Sequence, residues 1–71
     1  MRHKMIVLNR EGDFSVDWDP KAQDEIKRAI AEFESLRNRG YVAFPSEGGA
    51  RLDSFDPDQK EIVMVPRLVG G

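Results

Sequence analysis

The side chains able to do chemistry in this chain are few, and their spacing assembles no catalytic set. His3 is the only histidine and there is no cysteine, so a Ser-His or Cys-His arrangement has no base and nucleophile to combine. A lone histidine near a terminus reads as a solvent-exposed side chain. Asp53, Asp56 and Asp58, with Ser54, offer oxygens to a hard cation. They lack the alternating acids and central glycine of a calcium loop, and turn chemistry accounts for the segment. Gly48-Gly49 do not open a helix after a strand and so build no phosphate loop. Arg28, Arg37, Arg39, Arg51 and Arg67 are candidates for a basic patch, with Tyr41 or Phe44 to stack a base. Against that, 11 Lys and Arg face 13 Asp and Glu for a net charge of -2, which draws the chain neither to nucleic acid nor to an anionic membrane. The reading is no nucleic acid, no membrane, no metal, no cofactor and no enzyme. The remaining feature is Gly70-Gly71, which follows closely on the apolar run Ile62-Val63-Met64-Val65 and Pro66.

Whatever positions these residues is one small domain. A chain of 71 residues holds a single core, and without cysteine it has no disulfide and no need of an oxidising compartment. The basic start, Arg2-His3-Lys4, precedes an apolar run of only four residues, Met5 to Leu8, shorter than the roughly seven to fifteen of a signal peptide. The run reads as a strand and the protein as cytoplasmic.

Met5 to Leu8 is continuous and apolar, which predicts a strand buried on both faces. Asp13 to Trp18 alternates, putting Phe14, Val16 and Trp18 on one side, and Asn9 to Gly12 has the length of a hairpin connection. Asp19-Pro20 reads as a helix start. Ala22, Ile26, Ala29, Ile30, Phe33 and Leu36 recur at helical spacing, and Gly40 suits the left-handed cap, so the pattern predicts a helix over about 20 to 39. Tyr41 to Phe44 resumes strand character, Arg51 to Phe55 is a weak edge strand, and Asp56-Pro57-Asp58-Gln59 is a turn. Ile62 to Val65 is a second continuous run, which predicts a central strand covered on both sides and ended by Pro66. The expected fold class is α+β, with a mixed four- to five-stranded sheet covered on one face by one helix. The two continuous runs should be adjacent in its middle; parallel pairing between them makes a β-grasp, and a meander is the competing topology.

With that order in place, Val63-Met64-Val65-Pro66-Arg67-Leu68-Val69-Gly70-Gly71 resembles the C-terminus of ubiquitin-like and sulfur-carrier proteins, including the small subunit of molybdopterin synthase. These end in a β-strand, a short extended tail and two glycines. The likeness covers residues 5 to 66 as a coarse order of strands and helix and only the last nine residues as motif. Arg67 stands where sulfur carriers commonly have a second proline and is closer to ubiquitin. The resemblance implies a ubiquitin-like β-grasp domain over 1–66 and a flexible tail over 67–71. It further implies a modifier or sulfur carrier activated by adenylation of its C-terminal glycine. Gly70 and Gly71 are then the conjugation site, Arg67, Leu68 and Val69 are read by the activating enzyme, and ATP is that enzyme's cosubstrate. Glycines suit a tail threaded through a narrow channel, since side chains would obstruct the approach and glycine opens dihedrals closed to other residues. The implied partners are an adenylating enzyme and a conjugation target or sulfur acceptor.

One helix covers one sheet face, so part of the continuous runs must be exposed on the other. Val63, Met64 and Val65 are the expected partner-binding surface, with a homodimer through the same patch as the competing occupant. The alternative function is a small non-catalytic interaction module of a phage or mobile element with an inert tail. Trp18-Asp19-Pro20, Gly40-Tyr41, Phe55-Asp56-Pro57 and Gly70-Gly71 together also resemble small bacterial mobile-element proteins, a likeness that carries no mechanism.

Overall fold

The computed structural model describes residues 2–66. Its elements run β1 (His3–Val7), β2 (Phe14–Trp18), α1 (Gln23–Asn38), β3 (Tyr41–Pro45) and β4 (Glu61–Pro66). The four strands form one mixed sheet in the order β2-β1-β4-β3. β1 pairs antiparallel with β2 and parallel with β4, and β3 closes the other edge antiparallel to β4. The two continuous apolar runs are thus neighbours in the sheet centre, as their composition requires.

Helix α1 lies on one face of this sheet. Its Ile26, Ala29, Phe33 and Leu36 form one core with Met5, Val7, Trp18, Ala43, Ile62 and Met64. Ile30, expected in that stripe, is 37% exposed at its margin. The helix starts later than Asp19-Pro20 suggests. The Asp19 carbonyl accepts from the Ala22 amide at 2.9 Å and its carboxylate from the Lys21 amide at 2.9 Å. Asp-Pro therefore closes a turn before the helix, and the N-cap position falls to Ala22, which has no side-chain cap. At the other end Gly40 has φ +97°, a left-handed conformation that glycine adopts without steric cost.

The 51–55 segment makes a single bridge, Leu52 to Ala43, in place of an edge strand. Asp56 to Gln59 repeats the Asp19 turn: the Asp56 carbonyl accepts from the Gln59 amide at 3.1 Å and its carboxylate from the Asp58 amide at 3.0 Å. The echo between Trp18-Asp19-Pro20 and Phe55-Asp56-Pro57 is therefore one turn used twice. The two turns also meet, with the Trp18 and Phe55 rings 4.8 Å apart edge to face and Phe55 against Phe33 at 5.6 Å.

Candidate partner-binding face

The sheet face away from α1 carries the candidate site, and strand pairing arranges it in rows. Lys4 is registered with Asp17 on one side and Glu61 on the other. Ile6 is registered with Ser15 and Val63, and Val63 with Phe44. Val65 is registered with Val42. Leu8 extends the alternation of β1, and its amide still bonds the Met64 carbonyl at 3.0 Å. Side chains of paired residues share a face, so Ile6, Leu8, Val42, Phe44, Val63 and Val65 make a continuous apolar area. Phe44 is 37% exposed, and the other five are half-buried. Beside them stands a charged row.

The expectation that β1 and β4 are covered on both faces is corrected here. Lys4 is exposed and Ile6 half-buried, whereas His3, Met5 and Val7 are buried. One helix covers one face only, so a continuous apolar run is split between core and open surface. The same split divides the expected surface Val63, Met64 and Val65. Val63 and Val65 lie on the open face, but Met64 is fully buried with Ile62 beneath the helix and offers nothing to a partner. Phe14, expected beside Val16 and Trp18, is 42% exposed at the far end of its strand. Gly70, Gly71, Arg67, Leu68 and Val69 lie outside the described residues.

The charged row is tied together across strands. Lys4 Nζ is 3.5 Å from the Glu61 carboxylate, which also accepts from Ser46 Oγ at 2.7 Å. The Ser46 hydroxyl, more than Lys4, holds the Glu61 carboxyl below the usual carboxylate range. Arg2 donates to Asp17 at 3.0 Å and to Glu25 of α1 at 2.8 Å. Its hydrogen bond holds the Asp17 carboxyl low, and the two carboxylates raise the Arg2 guanidinium further above its ordinary value. These contacts are solvent-exposed, so they orient the row and add little stability.

His3 overturns the solvent-exposed reading. It is 8% exposed, its Nδ1 lies 3.0 Å from the Pro57 carbonyl, and the same oxygen accepts from Trp18 Nε1 at 3.0 Å. A carbonyl only accepts, so Nδ1 carries the proton. His3 packs edge to face on Trp18 at 5.9 Å and joins β1 and β2 to the second Asp-Pro turn. The signal for this burial is strand alternation: His3, Met5 and Val7 are two residues apart, and the latter two are core. Of the arginines, Arg37 and Arg51 line one open recess with Gly40, Tyr41, Val42 and Leu52. Arg39 sits over the Tyr41 ring at 5.8 Å. Arg28 is exposed elsewhere on α1, and Arg67 is outside the described residues. Among the described residues no group of acids and histidine is arranged to hold a metal ion, and no helix is long and apolar enough to cross a membrane.

No protein-family model matches this chain, and no curated protein or solved structure matches it.

Proposed function

We propose that this chain is a ubiquitin-like β-grasp protein of the modifier or sulfur-carrier type. The observation that carries the reading is the parallel pairing of β1 with β4 at the centre of a sheet ordered β2-β1-β4-β3, with one helix across one face. Parallel pairing favours the β-grasp alternative over the meander, and the last strand runs to Pro66, five residues before Gly71. In this reading a partner enzyme docks on the open sheet face and takes the tail into its own active site. A carboxylate oxygen of Gly71 attacks the α-phosphorus of ATP and displaces pyrophosphate. Sulfide or an enzyme thiolate then attacks the acyl carbon and expels AMP, leaving a thiocarboxylate or thioester. The protein supplies the carboxylate and the docking surface, and the partner supplies the catalysis.

A second reading, an interaction module with an inert tail, is favoured by the apolar area around Ile6, Val63 and Phe44, which suits a partner without any tail chemistry. One experiment separates them. ATP–pyrophosphate exchange is measured with an adenylating enzyme encoded beside the gene, and the protein recovered from its native cell is examined by intact mass. The carrier reading expects exchange, together with either an oxygen-to-sulfur mass increase or an attached target. Deleting Gly70-Gly71 should abolish both while changing stability by less than about 0.5 kcal/mol, as for surface positions generally. An unmodified carboxylate, no exchange and full function without the glycines would defeat it in favour of the interaction module.

A further inference from the structure

The end of the molecule where α1 passes into β3 brings arginines together, an arrangement independent of the tail reading. Arg37 and Arg51 both approach Asp53: Arg37 donates to its backbone carbonyl, and Arg51 Nε lies 3.6 Å from its carboxylate. Between these arginines and Tyr41 is an open recess of about 150 Å³. Arg39 rests over the Tyr41 ring on the same end. Arg37, Arg39 and Arg51 thus share one end of the molecule with Tyr41, and Asp53 meets two of them. The Arg51–Asp53 pair is more than half exposed on both sides, so it is weak and an incoming acid can replace it.

We propose that this recess binds a carboxylate side chain of an acidic peptide segment in a partner protein. A guanidinium presents its N–H donors as a fork that matches a carboxylate, and the recess has room for one such group. A nucleic acid fits less well. Its backbone needs a track of cations, since duplex DNA carries a charge every ~1.7 Å. Here Arg37, Arg39 and Arg51 form a local group at one end, not a track, while Asp17, Glu25 and Glu61 carry carboxylates at the row around Arg2 and Lys4 and the whole chain is net negative. An acidic segment meets three arginines together at this end, which favours one orientation on the domain.

The test titrates the ¹⁵N-labelled protein with an N-acetylated, C-amidated tetraglutamate peptide and follows amide and arginine Nε–H resonances. Saturable shifts are expected at Gly40 to Val42, Leu52 and the Arg37 and Arg51 side chains, weakening as salt is raised. Arg51→Glu and Arg39→Glu should each weaken binding by about tenfold or more, the loss of one charge-assisted contact. Both side chains are exposed, so the fold should survive, and unshifted core resonances check that it has. Arg28→Glu makes the same charge change nine residues before Arg37, ~13 Å along the helix, and should leave binding intact. The proposal is overturned by an absence of saturable shifts or by binding unchanged in Arg51→Glu. Equal weakening by Arg28→Glu, or tighter binding of inorganic phosphate or an oligothymidylate than of the peptide, also overturns it.

Discussion

Val63 and Met64 are adjacent, similar in polarity and opposite in fate. β4 has its two faces in different media, so Met64 lies under α1 at 0% exposure while Val63 lies between Ile6 and Phe44 on the open sheet. Aspartate at position 64 would bury a charge without a partner and displace a fully packed side chain, which costs several kcal/mol and approaches the whole stability of a small domain. Aspartate at 63 keeps its carboxylate in water. Chemical denaturation of Met64→Asp should therefore show little or no cooperative transition. Val63→Asp should retain one and lose partner binding. A folded Met64→Asp protein would invert the assignment of faces. Which members of Val63, Met64 and Val65 face the open side was not legible, because a run of four apolar residues has no internal alternation from which to read its phase. The phase comes from pairing, and pairing is a property of the fold. The inward phase of His3 follows from its alternation with Met5 and Val7, but its partner does not: the carbonyl that satisfies its ring belongs to Pro57, 54 residues away.

The helix was legible as an element and less so at its beginning. Ile26, Ala29, Phe33 and Leu36 are all buried as their spacing requires. Asp19-Pro20 has the composition of a helix start, but the same two residues serve a turn equally well, since an aspartate accepts local amides and proline presets the next dihedral. The turn prevails here because Trp18 must remain in β2, with its indole on the Pro57 carbonyl and its ring on Phe55. The chain then needs Asp19 to Ala22 to change direction before α1. A cost of this arrangement is that Ala22, extended at φ -101° and ψ 104°, occupies the N-cap without a side-chain acceptor. Ala22→Ser supplies one to the free amides of the first turn. It should stabilise the protein by about 1 kcal/mol, the usual worth of such a cap, measured as a raised urea midpoint with unchanged slope. A midpoint that does not rise would mean that those amides already have partners.

At the scale of the molecule, one helix has to cover four strands, and this determines both the sheet and its exposed side. The central position of the two continuous runs was legible because only a central strand accommodates apolar residues facing both ways. That they pair in parallel was one of two open topologies until the crossover through α1 and β3 was seen. The open face carries charge beside its apolar area, in the row of Arg2, Lys4, Asp17 and Glu61. The row's contribution to stability is small because its pairs are exposed, but it depends on pH with a definite sign. Asp17 and Glu61 have folded-state carboxyls held below the usual range by the Arg2 and Ser46 hydrogen bonds respectively. Each stabilises fully above its unfolded-state value, near pH 4, and ceases to do so as pH falls through the lower folded-state value. Arg2 is shifted in the opposite direction, and the stabilisation that goes with it is fully present below the unfolded arginine value, hence throughout the ordinary pH range. The thermal midpoint should therefore be insensitive to these groups from about pH 5 to 8 and decline below about pH 4. Asp17→Asn combined with Glu61→Gln removes both titrations, so its midpoint should lie below the wild type at neutral pH and converge on it by about pH 2, where wild-type carboxylates are protonated as well. Parallel curves for the two proteins between pH 5 and pH 2, followed by far-UV circular dichroism, would show that the charged row has no part in acid stability and that other carboxylates set the decline.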